Sequence, residues 1–374
     1  MSARPTRREN LLRVLRGEEP AWVPFSPNFK QWFDHHERLQ TLPKELAGAD
    51  YLGAMKALGC DVFSRNLGAG LEFRDTVARP KTEVEETPLG ERRVTHVETP
   101  HGCLSSVYRE QRAQSTGHVD EYPVKDWDRD GKAALWRLDQ REFRFDAAAF
   151  EALDERVGED GLVNVTAGCS PLKQLHHEFG MEAACYFLTD DPEAAQTYCD
   201  AFWGKLHPAI RALAEHPRVV SVILMDNVDT PFYAPGILER FWLPYVREAA
   251  DLLRQKGKYL WVHACGQLRQ LGPFFAQAGV TGLEGVSHPP LGDWWVDEAQ
   301  ACAPNFVFNG GFSAAEQEMP SEEALTAFYR GFFARASRRR MILSTSCQTN
   351  IRTPWERLKR VRDLTREWGG RPLA

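Results

Sequence analysis

What most constrains this chain is a rhythm in its apolar residues. Eight short runs rich in β-branched and aromatic side chains alternate with longer stretches of helical pattern. The runs are WVPFS (22 to 26), DVFSRN (61 to 66), LVNVTAG (162 to 168), VVSVILMD (219 to 226), KYLWVHA (258 to 264), VTGLEG (280 to 285), NFVFNGG (305 to 311) and MILSTS (341 to 346). Such alternation is the signature of parallel βα units, in which each strand reaches the next through a crossover helix. Segments such as PEAAQTYCDAFWGKLHPAIRALAEH and LERFWLPYVREAADLLRQKG carry apolar residues at three- and four-residue spacing between the later runs. Asp190 and Asp191 before Pro192 supply a helix start, and Gly257 supplies a stop. Eight strands, right-handed crossovers and a length of 374 residues favour an α/β fold of the (βα)8 TIM-barrel type over an open doubly wound sheet. No GxGxxG follows a strand, so nothing recommends a dinucleotide fold.

A barrel of this type takes about 250 residues and leaves roughly 120 to place. One region breaks the rhythm. From Glu72 to about Tyr122, the segments TEVEE, RRVTHVET and CLSSVYREQ are separated by PLGE and TPHG, which read as turns between antiparallel strands. Residues 72–122 are therefore expected to be a β-hairpin insertion after the second strand, within one barrel domain spanning 1–374. Loops after barrel strands emerge at the catalytic face, which places the insertion beside the barrel mouth.

Charge and composition exclude several partners. A net charge of −6 offers no basic footprint for a phosphate backbone, so nucleic acid is not expected. The basic runs Arg338 to Arg340 and Lys359 to Arg366 read as solvated surface. No apolar segment approaches the roughly 18 residues of a membrane helix, and the start MSARPTRREN has no apolar signal region. A cytoplasmic protein without a membrane partner is expected, and a homodimer is possible. The eight cysteines, several inside apolar helical segments (Cys185, Cys199), do not look like a disulfide framework.

Barrel enzymes build their sites at the carboxyl ends of the strands. There the chain places His263 and Cys265 after the fifth strand, Glu284 at the end of the sixth and Cys347 after the eighth. The spacing is His-x-Cys, 18 residues to Glu284, and 62 more to Cys347. Zinc accepts imidazole nitrogen, thiolate sulfur and carboxylate oxygen, and a catalytic zinc keeps one position exchangeable. Positions 263 and 265 fall on one face of an extended segment, so both can reach one metal. Each residue alone would serve equally well as packing or a cap; their convergence on one rim points to a metal site. Cys169, in TAGCSP, precedes a helix where a small residue is ordinary, and it is left out of the ligand set.

The chain resembles the uroporphyrinogen decarboxylase superfamily in the opening RRENLLRVLRGEEPAWVPF, the strand end LMDNVDTPFYAP, the helix WLPYVREAADLLRQKG and the segment WVHACG. His263, Cys265 and Cys347 match the His-x-Cys…Cys zinc motif of the corrinoid-dependent methyltransferase branch. Glu284 resembles the zinc-site carboxylate of cobalamin-independent methionine synthase. True decarboxylases carry an arginine-rich N-terminal motif for the substrate carboxylates; the equivalent place here reads PFSPNFKQWFDHHE, without those arginines. The resemblance therefore implies a zinc-dependent methyltransferase that moves a methyl group from a small methylated substrate, such as an O-methyl aromatic, to the cobalt of a corrinoid (cobalamin) carried by a partner protein. The alternatives are transfer from a methylcorrinoid to a thiol, a decarboxylase-like lyase, and a degenerate barrel used as a binding module.

Other site residues have two readings each. Phe25, Phe29, Trp32 and Trp294, with Trp22, Phe33 and Trp295, lie near strand ends, where they either enclose an apolar substrate or fill the layer between strands and helices. Asp226 and Asn227 end the fourth strand and either orient a substrate and supply a proton, or cap the next segment. His35, His36, His176 and His177 form adjacent pairs with no further ligand at useful spacing, and read as surface or helix-face residues.

Overall fold

The structure is a computed structural model that describes residues 4–229 and 231–370. Its strands in chain order are β1 (Val62–Ser64), β2 (Leu71–Asp75), β3 (Lys81–Thr87), β4 (Gly90–Thr99), β5 (Gly102–Gln111), β6 (Thr116–Glu121), β7 (Arg141–Phe145), β8 (Gly161–Thr166), β9 (Ser221–Leu224), β10 (Tyr259–His263), β11 (Gly282–Val286), β12 (Val307–Phe312) and β13 (Met341–Thr345). Seven of them form one sheet in the order β1-β8-β9-β10-β11-β12-β13, every neighbouring pair parallel. The first expected strand is reduced to the bridge Phe25↔Leu343. It still joins the two edges of the sheet. Ser26 N donates to Leu343 O at 2.9 Å, Leu343 N to Pro24 O at 2.8 Å, and Asp61 N to Phe25 O at 2.9 Å. The ring is thereby closed as a (βα)8 barrel. Pro24 and Pro27 explain why this member is so short, because neither has an N–H to extend a ladder.

The barrel interior is filled in tiers. Phe63, Leu162, Ile223, Trp261, Val307 and Ile342 come from six different strands and pack into one cluster with Leu11, Val14 and Leu15. Those three belong to the helix Arg7–Arg16, which plugs the amino-terminal end of the ring. A capping box between Thr6 and Glu9 starts that helix. β11 contributes Gly282 at this level, and a Cβ there would lie 2.6 Å from the Trp261 ring, so the indole occupies the room a larger residue would need. Two residues further along their strands, on the same face, come Arg65, His263, Glu284 and Asn309. The apolar floor is thus roofed by a polar tier at the carboxyl ends.

The region between β1 and β8 departs from the barrel rhythm. β3, β4, β5 and β6 form an antiparallel sheet, and β2 pairs separately with β7. The antiparallel excursion therefore runs on through β7. Its turn at Gln114 and Ser115 touches the helix Lys30–Arg38 that follows the bridge: Gln31 Nε2 donates to Ser115 O at 3.0 Å, and His35 Nδ1 lies 2.7 Å from Ser115 Oγ. Among the described residues no helix is long and apolar enough to cross a membrane.

Candidate metal centre

His263, Cys265 and Cys347 converge: one ligand atom from each lies within 4.8 Å of the others. Their exposure grades outward, with His263 buried, Cys265 half-buried and Cys347 exposed, so the cluster has a closed floor and an open side. Backbone packing sets this convergence. Gly285 has φ 113°, and a Cβ there would come within 2.5 Å of Ala264 O and 2.9 Å of Ser346 O. Only glycine lets the segments carrying Cys265 and Cys347 close on it from two sides. Asn28 holds the Cys347 loop, donating from Nδ2 to Cys347 O at 2.8 Å and accepting Thr349 N on its own carbonyl at 2.9 Å.

The electrostatics suit a soft cation. The Cys265 thiol, hydrogen-bonded to Cys347, and then His263 push the Cys347 thiol down to about 4, while the same contact with Cys347 raises Cys265. Burial works against a charged His263, but Cys347 and Glu284 outweigh it and raise its pKa. Burial likewise opposes a charged Glu284, and Arg65 and His263 nevertheless hold its carboxyl below the usual range. His263 Nδ1 is buried without an aligned hydrogen bond. One imidazole with an orphaned ring nitrogen and two thiols, one of them favoured as thiolate, are a donor set that fits zinc.

Glu284 stands outside the three-atom group. Its Oε2 lies 3.4 Å from His263 Nδ1 and 2.8 Å from Arg65 Nε. Arg65 was not singled out from the sequence, although its place at the end of the second strand, two residues after Phe63, is a usable signal. Cys169 Sγ contacts Gln174 Oε1 at 3.8 Å and is not part of the cluster.

Asn227 and Asp226 part company. Asn227 is exposed, adopts φ 48°, donates its N–H to His263 O at 2.8 Å and receives the Cys265 thiol at 3.8 Å on Oδ1. Asparagine tolerates this left-handed conformation better than most residues. It therefore sits at the cluster's edge. Asp226 is fully buried, with Oδ1 accepting Ser170 N and Oδ2 accepting Trp242 Nε1, each at 2.6 Å. Both oxygens are engaged by the scaffold, so Asp226 ties β9 to two helices, as the capping reading of this residue has it. Asp229, three residues on, was missed. Its Oδ1 accepts Gln267 N at 2.9 Å and its Oδ2 fills the space a Cβ on Gly266 would need, which fixes the turn after Cys265.

The aromatics expected at the substrate are each at most 2% exposed. Phe29 packs edge-on against Tyr51 and Trp355, while Trp32 stacks on Trp355 at 5.4 Å and donates to Thr353 O at 2.8 Å. Trp294 packs over Gly272 and edge-on to Phe308. Phe25 lines a cavity of about 620 Å³ at the amino-terminal end of the ring, with Trp22, Asp61 and Arg366, opposite the metal cluster. These rings fill the layers around the strands. On the rim, the exposed aromatic of the loop after β9 is Phe232, 43% exposed. His35 and His36 are half-buried on their helix, whereas His176 is buried and stacks on Tyr233 at 5.0 Å and 8°.

No protein-family model matches the chain, and no curated protein matches it. Its fold is similar to that of a methyltransferase from Methanosarcina mazei, with a TM-score of 0.63 at 13% identity over 97% of this chain and 99% of that one. Weaker likenesses include a putative vitamin-B12-independent methionine synthase from Listeria monocytogenes (TM-score 0.39, 15% identity, 92% and 96% covered). Another is a B12-independent methionine synthase from Shewanella (TM-score 0.44, 11% identity, 94% of each chain covered).

Proposed function

We propose that this chain is a zinc-dependent methyltransferase that moves a methyl group between a small substrate and the corrinoid of a separate partner protein. The observation that carries the proposal is the convergence of His263, Cys265 and Cys347 at the open carboxyl end of a barrel. The likeness of fold to a methyltransferase supports the same class. These three side chains would hold the zinc, with Glu284 beside them as an exchangeable fourth ligand. Bound there, zinc supplies either Lewis acidity toward an ether oxygen or a lowered pKa for a thiol.

The residues of the chain do the rest. His263 anchors the floor, Asn227 and Asp229 fix the turn that presents Cys265, and Asn28 fixes the one that presents Cys347. The first reading of direction is O-demethylation, from a donor such as an O-methyl aromatic to the corrinoid. The second, methylation of a thiol, is favoured by one specific observation. A leaving oxygen wants a proton donor, and Asp226 is committed elsewhere.

Metal analysis of purified protein should find about one zinc per chain, lost or strongly reduced in Cys265→Ser and Cys347→Ser. Full retention in both variants sinks the assignment. Incubating wild type with methoxylated aromatics and cob(I)alamin, and separately with thiols and methylcobalamin, decides direction. Turnover of neither set would remove methyl transfer as the function.

A further inference from the structure

Glu284 Oε2 stands at a junction, 2.8 Å from Arg65 Nε on one side and 3.4 Å from His263 Nδ1 on the other. All three atoms are buried without an aligned hydrogen bond. Arg65 and Glu284 are each about one-tenth exposed as side chains. Their strands face each other across the barrel: in the closed ring, three members separate β1 from β11 on either side. Arg65 therefore reaches across the lumen, above the apolar tier of Phe63 and Trp261, to meet a carboxylate that borders the His263 cluster.

We propose that Arg65 is a positioning residue that competes with the metal for Glu284. It receives the carboxylate when a substrate displaces it, and so keeps the fourth metal position exchangeable. The inference rests on the zinc reading above and adds to it a device for exchange. Charge balance explains the need. Two thiolates neutralise a divalent zinc, and Arg65 neutralises Glu284. Moving the carboxylate from guanidinium to metal leaves the total charge of the buried group unchanged. Without Arg65, a displaced Glu284 would be an unpaired carboxylate in a buried tier, which is strongly disfavoured. Glu284 would then stay on the metal. A lysine offers a single point charge where the guanidinium offers a planar fork, so the two should not be equivalent here.

The test measures zinc affinity by chelator competition and ligand identity by X-ray absorption, on wild type, Arg65→Met, Arg65→Gln, Arg65→Lys, Glu284→Gln and the double variant Arg65→Met/Glu284→Gln. Arg65→Met and Arg65→Gln should bind zinc about 10-fold or more tightly, the scale on which partners of metal ligands act. Their zinc should also show the Glu284 carboxylate more fully than wild type, read from the carboxylate carbon behind the bound oxygen, since water and carboxylate both present oxygen to the metal. Arg65→Lys should fall between them and wild type. The double variant should lose the gain, because the carboxylate that produces it is gone. Should any single variant fold poorly, the double variant, which removes both charges together, keeps the comparison open. If wild type binds zinc but both Arg65→Met and Arg65→Gln bind it with unchanged or weaker affinity and unchanged coordination, the role of Arg65 is overturned while the zinc site stands. If wild type binds no zinc, the metal reading falls and the inference with it.

Discussion

A carboxylate is understood from what its two oxygens touch. Asp226 gives one to Ser170 N and the other to Trp242 Nε1 inside a fully buried setting. Burial pushes its pKa up against the pull of those two donors. Asparagine at this position could accept from only one of them, and its amide would face the other as donor against donor. Asp226→Asn is therefore expected to cost about 1–3 kcal/mol of stability, read as a lower urea midpoint, with zinc content and turnover per folded molecule near wild type. A fall in turnover of about 100-fold at unchanged stability would restore the residue to the chemistry. Glu284 shows the opposite case, an oxygen shared between a guanidinium and an imidazole at the cluster's rim. In the sequence the two acids look alike, each closing an apolar run. His263 and Cys265 were legible because their relation is local, and Cys347 because strand ends meet on one rim. Arg65 was not, since its partner is brought to it only by closure of the ring.

At the level of elements, the apolar runs located the barrel strands because each must bury both faces, and such runs survive any detail of packing. Three features escaped. The first strand shrank to a bridge between prolines, the helix Arg7–Arg16 turned out to plug the ring, and β2 found its partner in β7 beyond the four-stranded sheet. Each depends on contacts distant in the chain, which local pattern does not encode. His176, on the helix Pro171–Phe179, is another such case: an adjacent histidine pair suggests a wet surface, yet the ring is buried against Tyr233. Burial first, then Lys173 and His177, lowers its pKa from 6.5 to about 3. The folded protein thus refuses a proton that the unfolded chain accepts. Stability from this group is complete above pH 6.5 and drains as pH falls toward 3, by at most about 1.4 kcal/mol per pH unit. His176→Phe keeps a ring for stacking and removes the titration. Its stability, measured by urea unfolding at pH 7 and pH 5, should fall less steeply with acid than that of wild type, with His177 contributing equally to both. Equal slopes would show that His176 is not held neutral.

For the whole molecule, the question is how much of the fold depends on the metal. The apolar tier of the barrel, its helical plug and the surrounding aromatic layer include none of His263, Cys265 and Cys347. His263, Cys265 and Cys347 lie above them, at strand ends and in the loops that follow. Metal binding should therefore add to stability without being a condition of folding, unlike small domains whose only core is the metal. A ligand present at about 1,000 times its Kd stabilises by about 4 kcal/mol. In a chain of this size that corresponds to a rise in Tm of several degrees. Thermal unfolding with zinc, and again after exhaustive chelation, should give two cooperative transitions separated by such an interval. Cys265→Ser should unfold at one temperature regardless of added zinc, because the linkage vanishes with the ligand. Were chelation to leave the Tm of wild type unchanged, zinc would not be bound in the folded state. Were it to abolish cooperative unfolding altogether, the metal would be holding the barrel together, and the cluster would have to be read as a structural centre with no position free for a substrate.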